Sequence, residues 1–100
     1  MLEELDDFFL DPEMQAQIRA DFAESQHDAV EKMREHIAKG ELTLAEIVAH
    51  NLKSISTMMV ENTLAEAALA LEWQLKKGEI PQDNALDEIA LMIKHVLDKA

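Results

Sequence analysis

Two glycines and two prolines are all that this chain of 100 residues carries, and each of the four stands where a helix should begin or end. Pro12 suits the first position of a helix, with Asp11 before it as N-cap and Glu13 after it to complement the dipole. Gly40 follows Lys39 and Gly78 follows Lys77, the pattern of a C-terminal stop after a basic last turn. Pro81 precedes another polar start at Asp83. Breakers this sparse leave long uninterrupted stretches, and the chain fills them with Ala, Leu, Glu and Met, no Tyr, and 48% apolar residues overall. Such a composition favours helix and disfavours sheet.

The apolar spacing agrees. From Pro12 to Lys39 one stripe runs through Met14, Ile18, Phe22, Ala29, Val30, Met33 and Ile37, which predicts a single helix. The second predicted helix opens on a capping box, Thr43 with Glu46, with Leu42 placed to staple onto Ile47. It then runs to Lys77, about 34 residues or roughly 50 Å. A third extends from Asp83 to the C-terminus with Leu86, Ile89, Ala90, Ile93 and Leu97 inward. Met1 to Leu10, with Leu2, Leu5, Phe8 and Phe9, reads as a short additional helix. The connections between the long helices are so short that neighbours must be antiparallel. The expected fold is therefore all-α: one domain over residues 1–100, an up-and-down antiparallel four-helix bundle with a short N-terminal helix and one helix projecting beyond the rest.

Several functions are excluded early. There is no Cys, hence no disulfide framework, thiolate metal site or Cys nucleophile. No apolar run approaches a membrane span, and the acidic N-terminus is unlike a signal peptide, so a cytoplasmic location is expected. A formal net charge of −12 would repel phosphate backbones and argues against nucleic acid as partner.

The stretch "AHNLKSIS", Ala49 to Ser56, carries the chemistry. On a helical wheel Val48, Leu52, Ile55 and Met59 fall within roughly 40° of the side opposite His50. These residues are the expected core stripe, which pushes His50 to the solvent face with Lys53 and Ser54 within reach. Asn51, Thr57, Met58 and Glu61 are the neighbouring rim, and no large outward apolar side chain is expected before Met58. Beyond Thr63 the apolar residues Leu64, Ala67, Ala68, Leu71 and Leu75 change side while Leu69 and Trp73 keep the original one. That half should be covered on both sides, Phe8 and Phe9 being the candidate cover, with Trp73 in the core.

This run, continued as "TLAEAALALEWQLKKGE", resembles the histidine-containing phosphotransfer domains of bacterial multistep phosphorelays. His50, Leu52 and Lys53 match the family's H-x-L-K-G, and Leu64, Ala65 and Glu72 match its downstream L-A-x-x-A-x-x-L-E. Ser54 and Val60 stand where the family carries glycine. The likeness implies a monomeric phosphoryl carrier without kinase activity of its own. His50 would be the phosphoacceptor, Lys53 would offset phosphoryl charge, and Ser54 would allow close approach and donate a hydrogen bond. The implied partners are response-regulator receiver domains and a hybrid sensor kinase. No cofactor is implied on this chain, the Mg²⁺ belonging to the receiver. A neutral imidazole is a competent nucleophile toward phosphorus near neutral pH, and the loose transition state asks mainly for alignment and charge neutralisation.

Two other readings compete. A bundle of the same fold could bind a receiver without accepting phosphate. The pair Glu24 and His27, with Glu31 a turn on, has the spacing of iron-holding bundles, but those need inward carboxylates on other helices and the stripes here are apolar. His27, His36 and His95 read as surface residues.

Overall fold

The computed structural model describes residues 11–99. They form five helices: α1 Pro12–Gln26, α2 Ala29–Ala38, α3 Leu42–Met58, α4 Asn62–Lys76 and α5 Asp83–Asp98. Among the described residues there is no strand. The expected helix over Met1–Leu10, and with it the cover by Phe8 and Phe9, lies outside them. Helix α2 packs on α3, α3 on α4, α4 on α5 and α5 back on α2, while α1 leans on α3. The protein is an all-α helical bundle, as the breaker pattern predicts.

Its core is a single apolar cluster to which every helix contributes. Phe22 comes from α1; Ala29, Val30 and Met33 from α2; Ala45, Ala49 and Leu52 from α3. Leu64, Ala68, Leu71 and Leu75 come from α4, and Leu86, Ile89, Ile93 and Val96 from α5. Small residues at 45, 49 and 68 let helix axes approach closely, and Phe22, Met33 and Leu52 supply the largest buried apolar bodies. Ala90, expected inward, is exposed, and Val96 takes a place in the core instead. Across the α2–α5 seam, the Arg34 guanidinium pairs with Asp83 and, at 2.7 Å, with Asp87. Asp83 sits in the first turn of α5, where it also complements the helix dipole.

The two longest predicted helices are each divided. The first breaks at His27 and Asp28, within "SQHDA". There the Ser25 hydroxyl donates to the Asp21 carbonyl at 2.7 Å, and the His27 ring lies 2.9 Å from the Ala23 carbonyl through Nδ1. Side chains that bond their own backbone offer it an alternative to continued helix. Asp28 then occupies the N-cap position of α2, its carbonyl accepting from Lys32 N–H at 3.0 Å.

The second breaks at Met59 and Val60, against the expectation of one helix to Lys77. Among the described residues three turns share one hydrogen-bond pattern. Gly40 N–H donates to Ile37 O and Glu41 N–H to His36 O; Gly78 N–H donates to Leu75 O and Glu79 N–H to Gln74 O. At the middle turn Val60 N–H donates to Thr57 O at 3.0 Å and Glu61 N–H to Ser56 O at 2.9 Å. Each is a Schellman-type ending, with the residue before Glu in the left-handed region. The φ values are 76° at Gly40, 81° at Gly78 and 60° at Val60. A glycine enters that region freely, whereas a β-branched side chain is strained there.

The same ending removes the expected capping box. Glu41 alone separates Gly40 from the next helix, so α3 begins at Leu42 with Glu41 as its N-cap residue and no side-chain cap bond. Thr43 is already inside the first turn.

Candidate functional site

The break at Val60 folds α3 and α4 into an antiparallel hairpin, and His50 lies about midway along it. The buried stripe of α3 is Ala45, Ala49, Leu52 and Ser56, with Val48, Ile55 and Met59 packed at its edges. The stripe is thus rotated by about 60° from the expected one, yet His50 still falls outside it. The His50 side chain is 52% exposed, as its wheel position requires.

Directly across the hairpin stands Glu72 of α4, only 14% exposed, with Oε2 3.0 Å from His50 Nδ1. Its other oxygen, Oε1, is buried without a hydrogen-bond partner among the described residues. A carboxylate only accepts, so Nδ1 must carry the hydrogen, and the lone pair of the neutral ring then resides on Nε2. The buried carboxylate holds the ring in one orientation and one tautomer, and it would stabilise positive charge on the ring if Nε2 acquired a substituent. An acidic residue buried this far is costly unless paired, and the ring is its partner. Glu72 was identified from the sequence only as a motif position. Its contact with His50 became readable once the hairpin was known, because residues at similar distances on either side of the turn face each other.

Lys53 and Ser54 are both half-buried. Lys53 lines a shallow groove of about 260 Å³ between α3 and α4, together with Thr57, Asn62, Ala65, Glu66 and Leu69. Thr57 is exposed, but its hydroxyl donates to the Lys53 carbonyl at 2.8 Å and so is engaged within the helix. Asn51 and Met58 are exposed on the same helix as His50. Glu61, expected on the same rim, is placed elsewhere: it follows the end of α3, is only 17% exposed, and pairs with Lys99 at 3.0 Å. The turn at Val60 moves it off the outward face and toward the end of α5.

The apolar surroundings of His50 differ from expectation. Ile47 and Leu44, about one and two turns before it, are exposed large hydrophobics, as is Met58 beyond it. On α4, Leu69 and Trp73 are exposed as well, Trp73 by 55%. Trp73 is therefore not a core residue. The register of α4 restarts after the turn and buries Leu64, Ala68, Leu71 and Leu75, which leaves Leu69 and Trp73 outside that face. The Lys76 ammonium lies 5.4 Å from the centre of the Trp73 ring, a cation–π contact at the surface.

The remaining histidines are differently placed. His27 bonds a backbone carbonyl, and His36 bonds the Glu41 carboxylate at 2.9 Å beside the Gly40 turn. His95 is exposed on α5. Glu24 and Glu31 are exposed near His27 in sequence, and among the described residues no group of three or more His, Asp or Glu is arranged to hold a metal ion. No described helix is long and apolar enough to cross a membrane.

Comparison with known proteins adds no identification: no family model matches the chain, and no curated protein or solved structure does either.

Proposed function

We propose that this protein is a histidine phosphotransfer module that carries a phosphoryl group between receiver-domain aspartates through His50. The observation that carries the reading is the His50–Glu72 pair at 3.0 Å, an exposed imidazole whose Nδ1 is tied to a largely buried carboxylate. In the forward step Nε2 attacks the phosphorus of an aspartyl phosphate. The N–P bond forms, the P–O bond to the aspartyl carboxylate breaks, and that carboxylate departs with the electron pair. No proton has to move. The ring gains positive charge, which the Glu72 carboxylate opposes through Nδ1–H. The reverse step returns the phosphoryl group to a second aspartate and restores the neutral ring.

Lys53 supports the same reading from the adjacent groove, where an ammonium can offset phosphoryl charge. The exposed apolar residues Leu44, Ile47 and Met58 frame His50 with a surface suited to protein docking. Divalent metal is required on the receiver and not on this chain.

Mixing the protein with receiver domains bearing labelled aspartyl phosphate tests the proposal. The label should leave a receiver and appear on wild type in acid-labile form, and it should not appear on His50→Gln, whose amide retains a donor for Glu72. A variant set that binds receivers but never takes label would favour a docking-only bundle.

A further inference from the structure

The three Schellman-type turns differ in one respect that matters for the whole hairpin. Two of them place glycine in the left-handed position, and Gly78 is followed by Pro81 before the next helix. These two turns are poor places for a helix to continue. The middle one, "MMVENT", contains neither glycine nor proline, and its left-handed residue is Val60 at φ 60°. Met and Glu are good helix formers, and valine is far better in a helix than in the left-handed region.

Little backbone change separates the turn from an unbroken helix. Met59 is already in the right-handed helical region at φ −84°, ψ −1°. Glu61 stands at φ −88°, ψ 74°, so rotation at Val60 and Glu61 alone would join α3 to α4 from Leu42 to Lys76. In such a joined helix the buried faces of α3 and α4 stand about 100° apart, and Val60 lies between them. Val60 lies four residues after buried Ser56 and four before buried Leu64, on the same side of a continuous helix as both. In the hairpin, by contrast, Val60 is 63% exposed. The chain thus puts an apolar β-branched residue between the two buried faces that a joined helix would present, and holds it, strained, in water.

A single chain cannot straighten without losing the α3–α4 interface. A second copy restores it. We infer that this protein also forms a domain-swapped dimer in which α3 and α4 join into one helix through Val60, and α3 of each copy packs against α4 of the other. The two-fold arrangement closes, since each copy gives and receives the same elements. Every intrachain α3–α4 contact is remade between copies, so the His50 of one copy meets the Glu72 of the second. The dimer gains relief of strain at two Val60 residues and burial of both side chains. The inference is independent of whether His50 accepts phosphate, because it rests on the strained turn at Val60 alone.

The experiment refolds the full chain from denaturant at low and at millimolar concentration and reads mass by light scattering after gel filtration. Wild type should yield a dimer that exchanges slowly with monomer, its fraction rising with refolding concentration. Val60→Gly should remain a folded monomer and weaken the dimer by about 30-fold or more, since each of two chains loses the left-handed penalty and gains a poor helix residue at the joint. Val60→Asn, which also tolerates the left-handed region, should act in the same direction. In a dimer built from isotopically labelled and unlabelled chains, nuclear Overhauser contacts should link α3 methyls of one chain with α4 methyls of the other. Wild type that stays monomeric at every concentration would overturn the inference. So would a dimer that survives Val60→Gly undiminished, or one without cross-chain α3–α4 contacts.

Discussion

His50 and Glu72, 22 positions apart in sequence, meet across the α3–α4 hairpin with Nδ1 and Oε2 separated by 3.0 Å. The pair joins an exposed reactive group to a mostly buried charge, and the proposed chemistry depends on both halves. Glu72 keeps the Nδ1–H tautomer and leaves Nε2 as the nucleophilic nitrogen. Orienting partners of this kind typically account for about 10–100-fold in activity at metal-bound histidines. Glu72→Gln should therefore lower the phosphotransfer rate by about tenfold or more while far-ultraviolet circular dichroism stays unchanged. A rate equal to wild type would remove Glu72 from the mechanism.

Lys53 borders the groove beside His50 and is proposed to neutralise phosphoryl charge. Lys53→Ala should slow transfer by about tenfold, the scale of one charge-assisted contact of ~1.5 kcal/mol. Lys53→Arg should recover much of the loss. Transfer rates measured across a salt series should also depend less on ionic strength in Lys53→Ala than in wild type.

Val60 gives a prediction about stability that needs no partner. Replacing it by glycine removes the left-handed strain, so Val60→Gly should stabilise the monomer by about 1–2 kcal/mol. For a domain of this size each kcal/mol raises Tm by roughly 4–8 °C. Urea unfolding should show a higher midpoint with the slope unchanged. A lower midpoint would mean that the valine side chain contributes more in its exposed position than its backbone costs.

Trp73 is the single tryptophan, and its ring is more than half exposed. Acrylamide should quench its fluorescence in the folded protein nearly as well as in the unfolded chain. Trp73→Ala should cost no more than about 1 kcal/mol, because little of the ring is removed from the core. A strongly protected tryptophan would contradict the register assigned to α4.

The all-α bundle was legible in the sequence because its evidence is periodic and redundant. Asp11, Pro12, Gly40, Gly78 and Pro81 mark ends, and stripes such as Val30–Met33–Ile37 mark faces. The outward position of His50 followed from the same periodicity. What the pattern did not reveal was the break at Val60, because neither glycine nor proline stands there, and the shift of the apolar face beyond Thr63 was read as a helix covered on both sides. That one omission misplaced Glu61 on the outward rim and Trp73 in the core, since both lie beyond the break. The resemblance, which sets Val60 where a glycine is usual, was the available signal, as a left-handed position is what a glycine at a helix end usually serves. The break at His27 was signalled too, by Ser25 and Asp28, residues that compete for backbone hydrogen bonds. No large apolar side chain was expected on the outward face before Met58, yet Leu44 and Ile47 are exposed. Their exposure follows from the buried stripe of Ala45, Ala49, Leu52 and Ser56, which leaves both outside it.

In the proposed transfer, Nε2 of His50 takes the phosphoryl group while Nδ1–H stays on Glu72. Long-range proton–nitrogen spectra of the ¹⁵N-labelled protein, recorded before and after incubation with phosphorylated receiver domains, test it at the atom concerned. His50 alone among the four histidines should change, with phosphorus on Nε2 and hydrogen retained on Nδ1. Phosphorus on Nδ1, on His27, His36 or His95, or on no histidine at all would contradict it.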